Sequence, residues 1–384
     1  MNILRICYEY PPPWEGLTPG PYEISNFQIK IGHRILYIHG GSKKEKKLFT
    51  ARIETRCIGK VFPTWAFGPF FTFDLRVVFH IFKLLREKKI DIIHAHGSVV
   101  LWFNLLRYFG LFRNIPYIFH AHTSGIRYFI TYWPNASIIN KIKALFIWPL
   151  LTIQDFLSVK VANAIITVSE KDRSIFLKYY KCPSSRVFLV ENGVNTELFS
   201  PKNQTDSGNT IKLLYTGIIR ELKNIEKSID VMASLENMGV DALLSLVGNG
   251  KPEYIKSLKS RSKKLLVEDK IKWIGYIPYP QLPEVYHNND ILLLLSHSEG
   301  LPKVVLEALS CGLRVVSSRS FSCSDILMKN ICWVDNDDSS DEIANKIIQI
   351  HKEKIETERF RKSFSWLSTV KKIDKIYKMI LNAR

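Results

Sequence analysis

The sequence predicts an α/β protein of two doubly wound domains, and three observations carry that prediction. The chain has 384 residues, enough for two separate cores. Short runs rich in Ile, Val and Leu alternate with helical stretches, the pattern of parallel strands buried on both faces. The runs also fall in two series, parted by the polar stretch SPKNQTDSGNT at 200–210, which holds Pro and Gly and no large apolar residue. Residues 1–200 are therefore expected to form the first domain, 201–365 the second and 366–384 a terminal helix, with the hinge at the polar stretch.

In chain order the first series reads NILRICYEY at 2–10, RILYIHG at 34–40, IDIIHAH at 90–96, PYIFHAH at 116–122, AIITVSE at 164–170 and RVFLVENG at 186–193. The second reads KLLYTG at 212–217, ALLSLVG at 242–248, IKWIGYI at 271–277, DILLLLS at 290–296 and LRVVSS at 313–318. Near the end Trp366, Val370, Ile373, Ile376, Tyr377 and Ile380 recur at helical spacing, which predicts one amphipathic helix from about Phe364 to Leu381. In doubly wound sheets, ligands bind beyond the carboxyl ends of the strands. There the sequence places His94 and His96, His120 and His122, Ser169 and Glu170, Gly217, and Ser298 and Glu299, so a cleft between the domains is expected to be lined by them.

Composition narrows the classes. Hydrophobic content of 46% and aromatic content of 12% exclude a disordered or collagen-like chain. The six cysteines are far apart and form no C-x-x-C pair, which excludes a zinc ribbon or a disulfide framework and fits a reducing cytoplasm. NILRICYEY alternates like a strand, not like a secretory signal, and the apolar run ALFIWPLLTI at 144–153 is interrupted by Pro149 and is half the ~20 residues of a spanning helix. Neither G-x-x-x-x-G-K-[ST] nor G-x-G-x-x-G occurs, which argues against a P-loop ATPase or a dinucleotide oxidoreductase.

The formal charge of +18 is concentrated in the first half, with 26 basic and 13 acidic residues in 1–200 against 28 and 23 in 201–384. Residues 92–154 hold no carboxylate, yet carry Arg107, Arg113, Arg127, Lys141 and Lys143 among 13 aromatic residues. One expectation is a cationic, aromatic surface lying on an anionic membrane. The other is that many of these aromatics are core and the cations are merely solvated.

The most informative segment is SEGLPKVVLEALSCG, 298–312. Glu299 ends a strand and Pro302 suits the first turn of the next helix, whose positive end then favours a phosphate. Glu307 lies about five residues farther along, roughly 7 to 8 Å by helical rise, the scale of a diphosphate. The two carboxylates then suit hydroxyls of a sugar and of a ribose, each as a bidentate acceptor. The plainer alternative makes Glu299 a helix cap and Glu307 a solvated helix residue.

Two glutamates spaced in this way within E-G-L-P-x-x-x-L-E-A-x-x-x-G resemble the donor motif of retaining glycosyltransferases of family 4, which have the two-domain GT-B fold. Further pieces are similar to that family in the same order: IGHRILYI, IDIIHAHG, YIFHAHTSG, IITVSE, VENGVNTELFSP, TGIIRELKN, LVGNG, IKWIGYIP and a terminal FSW with a tyrosine 11 residues after the Trp. The resemblance spans nearly the whole chain. It implies two Rossmann-like domains, acceptor-binding and nucleotide-sugar-binding, and a terminal helix packing back toward the first of them.

The resemblance also implies roles. Glu299 binds the donor sugar, Glu307 the ribose, and Lys223 neutralises the donor diphosphate, with Gly217, Gly300, Leu301, Pro302 and Lys303 in the same donor site. Where the family has an arginine directly after that first glycine this chain has Ile218, and Arg220 is the candidate replacement. His122 matches the histidine facing sugar and acceptor, with His96 and His120 also on the acceptor side. Gly16, in the proline-rich loop before the GH pair, matches a glycine that lets backbone approach the phosphate. The two His-x-His pairs are read as polar cleft residues and no bound metal is expected. The implied activity is retaining transfer of a sugar from a nucleotide diphosphate sugar to a hydroxyl of a glycan or lipid-linked saccharide, in polysaccharide or glycolipid biosynthesis. The expected place is the cytoplasm, at the inner face of the membrane. The rivals are a GT-B nucleotide-sugar epimerase, which needs no acceptor, and a non-enzymatic nucleic-acid binder, for which no recognised module is present.

Overall fold

The structure is a computed structural model describing residues 1–8, 20–40, 53–57, 74–87, 89–97, 100–122, 124–133, 138–201, 209–335, 337–351 and 357–383. It divides into two units. Met1–Asn192 with Trp366–Arg384 form one, and Gly193–Ser365 the other. The chain thus leaves the first unit a few residues before the polar stretch, most of which, 202–208, lies outside the described residues.

The first unit holds seven parallel strands in the order β3-β2-β1-β4-β5-β6-β7. They are β1 Asn2–Ile6, β2 Arg34–His39, β3 Ile53–Cys57, β4 Ile92–His96, β5 Tyr117–Ala121, β6 Ala164–Thr167 and β7 Val187–Leu189. Alternate residues of one strand feed two different cores: Leu4 and Ile6 of β1 join one, Ile3 the other. Burial on both faces explains the continuous apolar runs. The second core is closed by the terminal helix, Trp366–Asn382, whose Trp366, Val370, Ile373, Ile376, Tyr377 and Ile380 are all buried against this sheet. Each such side chain contributes about 1.5–3 kcal/mol on full burial, which is why this terminal segment joins the first unit.

The second unit holds six parallel strands in the order β10-β9-β8-β11-β12-β13. These are β8 Ile211–Thr216, β9 Ala242–Val247, β10 Ile271–Gly275, β11 Ile291–Leu294, β12 Arg314–Ser318 and β13 Cys332–Val334. All eleven strands read from the sequence are present. The two additional ones, β3 and β13, are both edge strands, one polar in its pattern and the other only three residues long. An edge strand has one hydrogen-bonded neighbour, so it needs no apolar run as strong as that of a central strand.

Pro149 does not interrupt the chain as expected. A single helix, Ile138–Val161, runs through it, while no helix among the described residues is long and apolar enough to cross a membrane. The carboxylate-free stretch is likewise neither wholly surface nor wholly core. Phe103, Phe112, Tyr117 and Phe119 are buried, whereas Tyr108, Phe109, Phe129, Ile130 and Leu145 are exposed. Two of its cations are buried rather than solvated: Arg127 pairs with Asp172 at 2.6 Å, and Arg107 donates to Val161 O and Asn163 Oδ1, both at 3.0 Å.

Candidate functional site

In the second unit the strand order reverses between β8 and β11, the place where doubly wound sheets bind ligands. β8 runs out through Gly217 to a single 3-10 turn, Glu221–Lys223, and Asn224, at a left-handed φ of 51°, starts the helix Ile225–Asn237. Beside this loop runs the one leaving β9, bridged by Ile219 and Gly250. The approach is close: a Cβ on Gly248 would lie 1.9 Å from the carbonyl oxygen of Gly217, and its φ of +134° is itself restricted to glycine. The LVGNG motif is thus a packing requirement of the loop that carries Lys223.

β11 leads to Ser296 and Glu299. His297 N donates to Leu222 O and Glu299 N to Ser320 O, both at 3.0 Å, which ties this loop to the Lys223 turn and to the end of β12. As a result Lys223 Nζ lies 2.5 Å from Glu299 Oε1, which also accepts from Ser296 Oγ at 2.7 Å. The pair is largely but not wholly enclosed, at 16% and 11% side-chain exposure. Among the described residues Glu299 Oε2 takes no hydrogen bond, so a hydroxyl can use it.

Ile219 is buried while Ile218 and Arg220 are exposed, so alternation turns Arg220 to the same side as Ile218, where the family arginine would start. Burial, and next the Glu299 charge, raise the Tyr215 hydroxyl well above its ordinary pKa while Arg220 opposes, which places both charges near that hydroxyl. Tyr215 in turn donates to Ile218 O at 2.9 Å.

The next helix is Lys303–Cys311, and Pro302 is its N-cap in extended geometry, one residue ahead of the expected first turn. Pro302 supplies no side-chain cap, and the positive end of the helix favours an anion. Gly300 and Lys303 are half-buried and Leu301 is buried. Glu307, the helix's fifth residue, is only 6% exposed and accepts from the Tyr286 hydroxyl at 2.8 Å. Burial raises its carboxyl above the usual range, partly offset by the Tyr286 bond and the Lys303 charge. It is therefore not a solvated helix residue, and Glu299 is not the cap.

In the first unit the order reverses between β1 and β4, and the histidines stand there. His94 and His96 of β4 lie beside His120 of β5 and His122 just after it. His94 Nε2 is 3.2 Å from His120 Nδ1, and His96 Nδ1 is 3.1 Å from His122 Nε2. The expected cleft-lining role of His96 and His120 needs correction: both are 2% exposed and His94 fully buried, and of the four only His122 is half-buried. The apolar neighbours on this sheet face, Ile92, Ile118 and the terminal helix, exclude water from them. Burial is the main cause holding His94, His96 and His120 well below the usual histidine pKa, so they are neutral.

One ligating nitrogen from each of His94, His96 and His120 can be chosen within 4.8 Å of the others. The donor set does not suit a dication, because the Arg5 guanidinium already hydrogen bonds His96 Nε2 and reaches His94 Nδ1 at 3.5 Å, and among the described residues no carboxylate joins the cluster. The sequence has one D-x-D triplet, Asp335-Asn336-Asp337, but it follows the edge strand β13 and Asp335 pairs with Arg319 at 3.0 Å.

The structure therefore brings together Gly217, Arg220, Lys223, Glu299 and the start of the Lys303–Cys311 helix in the second unit, and the histidines in the first. Gly16 lies outside the described residues. Sequence reasoning missed Ser296, Tyr215, Tyr286 and Arg5. Only Arg5 left a signal, as the one charged residue of β1, otherwise Asn and apolar residues.

Residues 197–364 match the family model of glycosyl transferases group 1, and residues 20–198 that of Glycosyltransferase Family 4. The chain is 23% identical over 383 residues to the phosphatidylinositol N-acetylglucosaminyltransferase gpi3 subunit of Schizosaccharomyces pombe, covering 95% of this chain and 78% of that one. It is 23% identical over 270 residues to the UDP-Gal:alpha-D-GlcNAc-diphosphoundecaprenol alpha-1,3-galactosyltransferase of Escherichia coli, covering 67% of this chain and 65% of that one. Its fold matches sucrose-phosphate synthase of Thermosynechococcus elongatus with a TM-score of 0.80 at 16% identity, over 100% of both chains. With two parallel doubly wound units and both family models matched in order, this chain belongs to the family 4, group 1 glycosyltransferases and has their GT-B fold.

Proposed function

We propose that this glycosyltransferase moves a sugar from a nucleotide diphosphate sugar to a hydroxyl of a glycan or lipid-linked saccharide, with retention at the anomeric carbon and without a resident metal. The observation that carries the reading is the Lys223–Glu299 contact of 2.5 Å ahead of the Lys303–Cys311 helix, with Glu307 buried on that helix. Glu299 Oε2 accepts a sugar hydroxyl, and Glu307 accepts the ribose diol. As the bond to the anomeric carbon breaks, negative charge grows on the leaving phosphate. Lys223, held by Glu299, together with the exposed Arg220 and the helix N-terminus supplies positive charge for it, so no metal has to. Names of relatives support both substrates: one includes UDP-Gal and diphosphoundecaprenol, another phosphatidylinositol.

A screen of UDP- and GDP-sugars should raise the melting temperature with one of them, because a ligand that binds only the native state stabilises it. Transfer with that sugar should be unchanged by EDTA. No shift with any sugar diphosphonucleotide would remove the donor reading, and loss of transfer on chelation would remove the metal-free one. Sugar isomerised without any acceptor would identify the epimerase instead.

The acceptor face of this reading is an anionic membrane surface. It is supported by exposed Phe129 and Ile130 at a 290 Å³ pocket lined by Ile130, Arg127, Lys171 and Lys178, and elsewhere on the same unit by exposed Tyr108 and Phe109. Burial, then the Arg127 charge, lowers the Lys171 pKa, while Asp172, the partner of Arg127, opposes the shift. The protein should sediment with anionic vesicles at low salt and leave them at high salt, since screening weakens contacts of this kind. Equal sedimentation with and without vesicles counts against this face.

A further inference from the structure

Arg5, the fourth residue of β1, is 0% exposed, and among the described residues its guanidinium pairs with no carboxylate. Its bonds go to neutral groups. One terminal nitrogen donates to His96 Nε2 and reaches His94 Nδ1 at 3.5 Å; the other donates to Gln28 Oε1, from the helix Gly20–Lys30. His94 Nδ1 also meets the Tyr377 hydroxyl of the terminal helix.

We propose that Arg5 is a positioning residue that sets the proton on each of the four histidines and so presents His122 as a neutral ring protonated at Nδ1. A guanidinium is always charged and only donates, so any nitrogen facing it must offer a lone pair. His96 Nε2 faces it, and the neutral His96 ring therefore carries its proton on Nδ1. That proton points at His122 Nε2, 3.1 Å away, which must accept, leaving the His122 proton on Nδ1. The second branch runs the other way. His94 Nδ1 faces the Arg5 guanidinium at 3.5 Å and accepts from the Tyr377 hydroxyl, its Nε2–H donates to His120 Nδ1 at 3.2 Å, and His120 carries its proton on Nε2, which has no partner among the described residues. One cation thus imposes opposite tautomers on the two histidines of each His-Ala-His pair.

The consequence rests on the role that the family resemblance implies for His122, facing sugar and acceptor. Its Nε2 lone pair is already used, so His122 acts as a hydrogen-bond donor through Nδ1 and not as a base through Nε2. His96 touches no ligand in this scheme; it passes the orientation of Arg5 to His122.

Long-range proton–nitrogen spectra of the full chain labelled with ¹⁵N-histidine test this directly, with peaks assigned by single His→Gln variants. In the wild-type protein at pH 7.5, His96 and His122 should each show a protonated Nδ1 and a bare Nε2, and His94 and His120 the reverse. A protonated Nε2 on His122 overturns the proposal, and this holds even where an Arg5 variant does not fold. Arg5→Met should abolish the preference at His96 and His122 and lower kcat on the order of 10²-fold through misplacement of His122, with donor KM, set in the second unit, unchanged. Arg5→Lys, also a donor only, should restore the wild-type tautomers. An unchanged spectrum in folded Arg5→Met overturns the proposal. The expected tautomers together with full transfer by His122→Gln would support the Arg5 assignment and remove the proposed role of His122 instead.

Discussion

Glu299→Ala is expected to lower kcat/KM for sugar transfer about 10²- to 10³-fold, because it removes a fixed, water-poor hydrogen-bonding group aimed at the reacting sugar. Two contacts are lost at once: the proposed acceptor for the sugar hydroxyl, and the carboxylate that holds Lys223 Nζ at 2.5 Å. Lys223→Ala should fall by a similar factor, and the double variant by little more than either, since residues acting as one unit are not additive. Folding should survive in both. The pair keeps 16% and 11% exposure, so the group left behind by either substitution still reaches solvent and the loss stays short of the about 3–5 kcal/mol of a fully buried pair. Initial rates with the donor found by thermal shift provide the measurement, with circular dichroism as the folding control. Full turnover in both folded variants would exclude this site.

Gly248→Ala should have the largest effect on stability, costing more than about 4 kcal/mol and leaving the second unit unfolded or loosely packed at 37 °C. Its Cβ would meet Gly217 O at 1.9 Å and Gly217 C at 2.8 Å, both backbone atoms between neighbouring strand ends. Relief requires separating the loops after β8 and β9, which share the Gly217 N to Val247 O bond of 2.9 Å. Positive φ adds a strain of about 1–3 kcal/mol. Gly239→Ala is the matched control: φ is +70° there, but nothing lies within 4 Å of the added Cβ, so only the conformational cost of about 1 kcal/mol applies. Urea denaturation of the two variants separates close approach from backbone strain. Equal midpoints would show that the contact at Gly248 relaxes freely.

Most of this fold was legible because a strand buried on both faces must be apolar throughout, and eleven apolar runs, nine of them central strands, alternate with helices along the chain. β3 and β13 escaped because edge strands are freed from that rule. Ile138–Val161 was misread at Pro149 because a proline's lost hydrogen bond is local, whereas helix continuity is decided by packing on both sides, here with Trp148 donating to Gly125 O. The donor-side residues were legible by resemblance and by spacing, Glu299 and Glu307 flanking a helix start. Their partners were not: Ser296, Tyr215 and Tyr286 are ordinary residues of a strand end, a strand and a short helix until folding sets them beside a carboxylate or its neighbouring loop.

By itself the sequence determined two alternating α/β units, the terminal helix with its apolar face, and the residue types gathered at the strand ends. Alternation and helical periodicity are properties of neighbours along the chain, so they can be read there. Only the tertiary structure decided that His96 and His120 lie buried beneath His122, that Arg107 and Arg127 are enclosed while Phe109 is not, and that Arg5 reaches histidines 89 and 91 positions away. Burial and hydrogen-bond partnership depend on which strands become neighbours, and β1 lies beside β4 only because the sheet order reverses there.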